Sequence, residues 1–94
     1  DAKILVVDDD PMNIFVITEL LKQYNLNANS ASNGSSAVVA VKKSLEEAKM
    51  YKLILLDYSL GDTNGTEVAQ TIASLLSYTV QSSRIFAAAL LTMT

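Results

Sequence analysis

Ile4-Leu5-Val6-Val7-Asp8-Asp9-Asp10-Pro11 is the stretch on which the fold turns. Residues 3–7 form a short apolar run, too brief for a helix and without polar alternation, which is the pattern of a strand covered on both faces. The run stops at three consecutive acids. Pro11 directly after Asp10 suits a helix start, with Asp10 as N-cap and Pro11 at the first helical position, where its missing N–H is no loss. The helix is expected to run to about Tyr24 and to stop at Asn25. Along it Ile14, Ile17 and Leu21 recur at helical spacing, and Phe15, Val16 and Leu20 widen that apolar face toward a sheet. Met12, Phe15 and Tyr24 read as ordinary packing residues.

Outward from this stretch, residues 26–32 are rich in Asn and Ser and weakly alternating, which suits a short edge strand. Asn33-Gly34 is a turn signal. Residues 35–49 then form a second amphipathic helix, with Ala37, Val38, Val41 and Leu45 on one face and Lys42, Lys43, Glu46 and Glu47 on a solvated one. Residues 53–56 repeat the apolar pattern of the first strand and close on Asp57. A polar loop with Gly61 and Gly65 comes next, and Thr66 is placed to cap a helix through about Tyr78. After a mostly polar connection over residues 79–84, residues 85–91 read as a fourth strand leading into Thr92, although the alanine triplet at 87–89 would also tolerate helix. Strand and helix alternate throughout, so the expected architecture is α/β, a parallel sheet with helices on both sides and right-handed crossovers.

Composition narrows the chemistry. Ninety-four residues suit one domain, and half of them are hydrophobic, enough for a packed interior. Seven basic against ten acidic residues leave a net charge of −3, and no basic cluster extends beyond Lys42-Lys43, so no face of this segment is expected to bind nucleic acid. Cysteine is absent, which removes thiol chemistry and suits a reducing, cytoplasmic setting. Histidine is absent too, which excludes a self-contained Ser-His-Asp relay and the usual zinc sites. No apolar run approaches the ~20 residues of a membrane span, and the first residues lack a signal-peptide pattern.

Carboxylates are what remains. In open α/β sheets, ligands bind outside the carboxyl ends of the strands. Asp8 and Asp9 close the first strand and Asp57 closes the third, so if those strands are neighbours, three mutually repelling carboxylates meet in one pocket. A divalent cation relieves the repulsion, and Mg²⁺ is the natural candidate because it favours oxygen ligands. A carboxylate beside a cation that neutralises phosphate oxygens can act as nucleophile and form an acyl phosphate, which gives Asp57 a role as phosphoacceptor. Thr92, at the end of the fourth strand, could donate a hydroxyl to the transferred group, alongside backbone N–H groups of the Tyr58-Ser59 loop.

These residues resemble a known family. Ile4-Leu5-Val6-Val7-Asp8-Asp9-Asp10-Pro11-Met12-Asn13 is similar to the opening of two-component receiver (response-regulator) domains. Leu53-Ile54-Leu55-Leu56-Asp57-Tyr58-Ser59-Leu60-Gly61-Asp62-Thr63-Asn64-Gly65 looks like the phosphoacceptor strand and loop of that family. The resemblance implies a flavodoxin-like three-layer α/β/α fold with sheet order 2-1-3-4 over residues 1–94. It implies that Asp57 is phosphorylated, with Asp9 a direct Mg²⁺ ligand, Asp8 a ligand through water and Ser59 a ligand through its carbonyl. Thr92 matches the switch position that moves toward the phosphate. The donor would be a phosphohistidine on a histidine kinase or a histidine phosphotransfer protein, on the cytoplasmic side of the membrane. The domain would catalyse only its own phosphorylation and dephosphorylation.

The sequence also departs from the family. Gly61 stands where the family often has Pro and Asn64 where it often has Asp, and both remain turn residues. A fourth helix, a fifth strand ending in Lys and a fifth helix would lie beyond Thr94, so the domain is expected to be incomplete at its C-terminus. The fourth strand would then be an apolar edge open to dimerisation or strand exchange. Two other readings remain: an inactive receiver-like scaffold that binds a partner, and an aspartate-nucleophile phosphohydrolase of the haloacid-dehalogenase kind, whose Asp-x-Asp pattern Asp8-Asp9-Asp10-Pro11 fits poorly.

Overall fold

Among the described residues, seven elements alternate: β1 (Ile4–Val7), α1 (Pro11–Lys22), β2 (Ala28–Ala31), α2 (Gly34–Glu46), β3 (Leu53–Asp57), α3 (Gly65–Thr79) and β4 (Ala87–Leu91). This is a computed structural model, and it describes residues 3–57, 60–79 and 87–91. The four strands form one sheet in the order β2-β1-β3-β4, and every neighbouring pair is parallel. Parallel pairing requires a crossover between strands, which the intervening helices supply. Because β2 and β3 lie on opposite sides of β1, crossovers of one hand put α1 on one face of the sheet and α2 on the other. Accordingly α1 packs on β1 and β2, while α2 and α3 pack on each other and on the opposite face.

The uninterrupted apolar runs have the expected cause. All four residues of β1 are buried, and its alternating side chains divide between the two layers. Leu5 and Val7 join Ile54, Leu56, Ala37, Val41, Val68 and Ile72 in the core beneath α2 and α3. On the α1 side the cover is thinner, and Leu53 and Leu55 of β3 are only half-buried. β2 is the polar edge read from the sequence, with Asn29 and Ser30 exposed.

The helix termini show how the chain is punctuated. Asp10 caps α1, its carboxylate accepting the Met12 N–H at 2.9 Å with Pro11 in the first turn. α1 ends earlier than Tyr24. Asn25 takes a left-handed φ of 60°, and the Leu26 N–H closes on the Leu21 carbonyl at 3.0 Å. Asn33 is more than a turn residue, because it caps α2 in a reciprocal capping box with Ser36. Thr66 does not cap α3. The helix starts at Gly65, and the Asn64 side chain accepts the Glu67 N–H at 2.9 Å. β4 begins at Ala87, and residues 85 and 86 of the expected strand lie outside the described residues.

The expected apolar face of α1 needs correction. Ile14, Ile17 and Leu21 face the sheet and are half-buried, but no residue of α1 is fully buried. Phe15, Val16 and Leu20 do not extend that face, and Met12 and Tyr24 are not packing residues: all five are more than half exposed, Phe15 at 60%. At ~100° per residue, Met12, Val16 and Leu20 fall on the side of the helix away from Ile14, Ile17 and Leu21. Apolar residues thus occupy two faces of α1, and the sheet covers one.

Candidate metal centre

β1 and β3 are the two inner strands and run in the same direction, so both deliver their C-terminal residues to one edge of the sheet. Val7 is paired with Leu56, and the next residue of each strand is an acid, Asp8 and Asp57. Asp57 still belongs to β3, opposite Leu91 of β4. One ligand oxygen each from Asp8, Asp9 and Asp57 lies within 4.8 Å of the others. Asp8 is 2% exposed and Asp57 9%, whereas Asp9 is exposed, so the cluster has a buried floor and one open side.

Local hydrogen bonds set this arrangement. The Asp8 N–H donates to the Ala31 carbonyl at 3.1 Å, which extends the β1·β2 ladder past the end of β1 and fixes the Asp8 backbone. Its Oδ1 accepts the Asp10 N–H at 2.9 Å, so the side chain is held while the chain turns into α1. Asp10 is occupied with its own helix and stands apart from the cluster. Three oxygen donors from carboxylates, two of them withdrawn from solvent, make a hard-cation donor set, and the open side leaves room for the water that Mg²⁺ keeps. The residues present therefore fit a divalent cation. Ser59 and Thr92, like Tyr58, lie outside the described residues.

One acid with no role in the sequence reading is tightly engaged. Asp62, in the loop after β3, reaches across to the first turn of α2, where it accepts the N–H groups of Gly34 at 2.8 Å and Ser35 at 3.1 Å and the Ser35 hydroxyl at 3.1 Å. These donors, the Gly34 N–H first and the Ser35 N–H next, hold the Asp62 carboxyl below the usual carboxylate range. No sequence spacing signals a contact between positions 28 residues apart. The sequence holds one hint: a turn-plus-cap pattern at Asn33-Gly34 leaves orphan N–H groups for some acceptor to satisfy.

Comparison with known proteins bears on the same elements. The model of the family described as "Response regulator receiver domain" matches residues 4–87. The probable histidine kinase 1 of Oryza sativa subsp. indica is 32% identical over 73 residues, covering 78% of this chain and 7% of that protein. Among solved structures, the receiver domain of the histidine kinase CKI1 from Arabidopsis thaliana, complexed with Mg²⁺ and BeF₃⁻, superposes with a TM-score of 0.80 at 23% identity, over 95% of this chain and 65% of that one. The receiver domain of Saccharomyces cerevisiae Ssk1, in its co-crystal with the histidine phosphotransfer protein Ypd1, gives a TM-score of 0.75 at 22% identity, over 94% and 62%. The chain thus spans under a tenth of that curated relative and about two thirds of these solved chains.

Proposed function

This chain belongs to the response regulator receiver domain family of two-component signalling, and from that premise we propose that Asp57 takes a phosphoryl group from a phosphohistidine donor in a phosphorelay. The observation that carries this reading is the meeting of Asp8, Asp9 and Asp57 at the end of the two inner strands, with ligand oxygens within 4.8 Å. Family membership sets aside the phosphohydrolase reading.

Asp8, Asp9 and Asp57, with the Ser59 carbonyl added by family resemblance, would hold Mg²⁺, which when bound supplies the positive charge that offsets carboxylate repulsion and phosphoryl oxygens. Asp57 is the last residue of β3, paired with Leu91 of β4, and the family resemblance gives its carboxylate the attack, with the strand presenting it at the sheet edge beside Asp8 and Asp9. One of its oxygens forms the new P–O bond as the P–N bond of the donor breaks. The electron pair leaves on the imidazole nitrogen, which then takes a proton from water. Thr92 and the N–H groups of the Tyr58-Ser59 loop are the proposed donors to the phosphoryl oxygens. With no histidine of its own, this segment would take the phosphoryl group from another domain or protein. The Mg²⁺ and BeF₃⁻ held by the CKI1 domain and the Ypd1 complex of Ssk1 support the cation and the kind of donor.

The test is incubation of the full chain with acetyl phosphate and Mg²⁺, read by mass as the gain of one phosphoryl group; no gain removes the proposal. The exposed apolar side of α1 begins beside the acids and is the surface we assign to the donor protein. Phe15→Ser is expected to lower the ratio of phosphohistidine-driven to acetyl-phosphate-driven uptake by about tenfold, since an interface aromatic commonly contributes about 1–2 kcal/mol or more. Quench-flow with both donors measures that ratio, and an unchanged value excludes this surface.

A further inference from the structure

Among the described residues of the loop between β3 and α3, Asp62 joins the loop to α2 by hydrogen bonds. We infer that Asp62 is a positioning residue for phosphoryl uptake at Asp57: it clamps the 60–63 turn, which begins three residues after the phosphoacceptor, onto the first turn of α2. This rests on the proposed role of Asp57.

The turn itself is closed by the Leu60 N–H, which donates to the Thr63 carbonyl at 3.1 Å, and Leu60 is buried in the core beneath α2 and α3. From the middle of that turn Asp62 accepts three hydrogen bonds on its two oxygens, all from Gly34 and Ser35. A carboxylate gripped through both oxygens cannot pivot as a single hydrogen bond would allow. The far side of the turn is tied down as well, by the Thr63 hydroxyl to Glu67 and by Asn64 capping α3.

The contact is built for close approach. A Cβ on Gly34 would lie 2.4 Å from Thr63 Cγ2 and 2.9 Å from Val68 Cγ2, nearer than packed atoms tolerate, so only glycine lets α2 sit against this turn. Asp57 is paired with Leu91 of β4, and Leu60, three residues on, is held by the clamped turn. Asp62 touches neither Asp8, Asp9 nor Asp57 through any of these bonds, so its effect on the reaction passes through the backbone. Misplacement by ~1 Å at a reacting centre can lower a rate by about 100-fold. Release of one of several ties should lower it less.

The experiment uses the full chain with two readouts: the rate of acetyl-phosphate-driven phosphorylation at saturating Mg²⁺, and amide hydrogen exchange at Leu60. Asp62→Ala is expected to slow phosphorylation by about tenfold and to speed exchange at Leu60, with β1 amides unchanged. Asp62→Asn keeps one oxygen for the Gly34 N–H and should recover part of both, a graded rescue that simple destabilisation does not give. Equal rates in Asp62→Ala and the unchanged chain overturn the inference, and so does unaltered exchange at Leu60. If the unchanged chain takes up no phosphoryl group, positioning falls together with the proposed function; faster Leu60 exchange in Asp62→Ala then locates the failure in the reading of Asp57, not in the clamp.

Discussion

Asp57→Asn is expected to abolish phosphoryl uptake from acetyl phosphate while leaving the chain folded. The substitution keeps shape and changes chemistry. An amide fills nearly the volume of the carboxylate at a position 9% exposed, so the end of β3 and its pairing with β1 and β4 have no steric reason to move. The amide oxygen is neutral and a poor nucleophile, and the change removes one of the three charges that would hold a cation. Mass spectrometry of the intact chain reads the first effect as complete loss of the added phosphoryl group, and thermal unfolding reads the second as a midpoint within a few degrees. Retained uptake in this variant would falsify the assignment of Asp57 and move the acceptor to another acid.

The second large effect is on the cation. Asp9→Ala should raise the Mg²⁺ concentration needed for half-maximal uptake by well over about tenfold, since even outer partners of metal ligands are typically worth roughly 10–100-fold in affinity. Asp9 is exposed and lies outside the core, so the loss should come with little change in stability. Its neighbour Asp10 provides the contrast. Asp10→Ala removes the cap of α1, a loss of about 1 kcal/mol of stability, and should leave the Mg²⁺ dependence near that of the unchanged chain, because Asp10 stands apart from the cluster. A Mg²⁺ titration of the phosphorylation rate in the two variants, beside their unfolding curves, separates them. Equal Mg²⁺ dependence in Asp9→Ala and the unchanged chain would remove Asp9 from the site.

Legibility in the sequence tracks burial. β1 and β3 were legible because strands covered on both faces lose their alternation, and their acidic ends stood out against that apolar background. The α/β order and the parallel sheet came from alternation alone. α1 misled for the opposite reason: periodicity reveals that a helix has apolar positions, but which of them a sheet covers depends on how wide the sheet is on that side. Ile14, Ile17 and Leu21 found cover, and Phe15, Val16 and Leu20 did not. The caps were half legible. Asn33 and Asn64 belong to the residue types that cap, but Thr66 competes with Asn64 on composition, and only backbone geometry separates them. The Asp62 contact was not legible beyond the orphan N–H groups at the start of α2, because nothing in the sequence links that start to an acid 28 positions away. The roles of Ser59 and Thr92 rest on family resemblance, and both lie outside the described residues.

The acids sit at adjoining ends of the two strands most deeply embedded in the sheet, yet one of them, Asp9, looks onto solvent. An ion arriving from bulk water therefore meets its ligands without any hydrogen-bonded ladder having to part. Capture and release should run at the pace at which Mg²⁺ sheds its own hydration shell, independent of any breathing of the polypeptide.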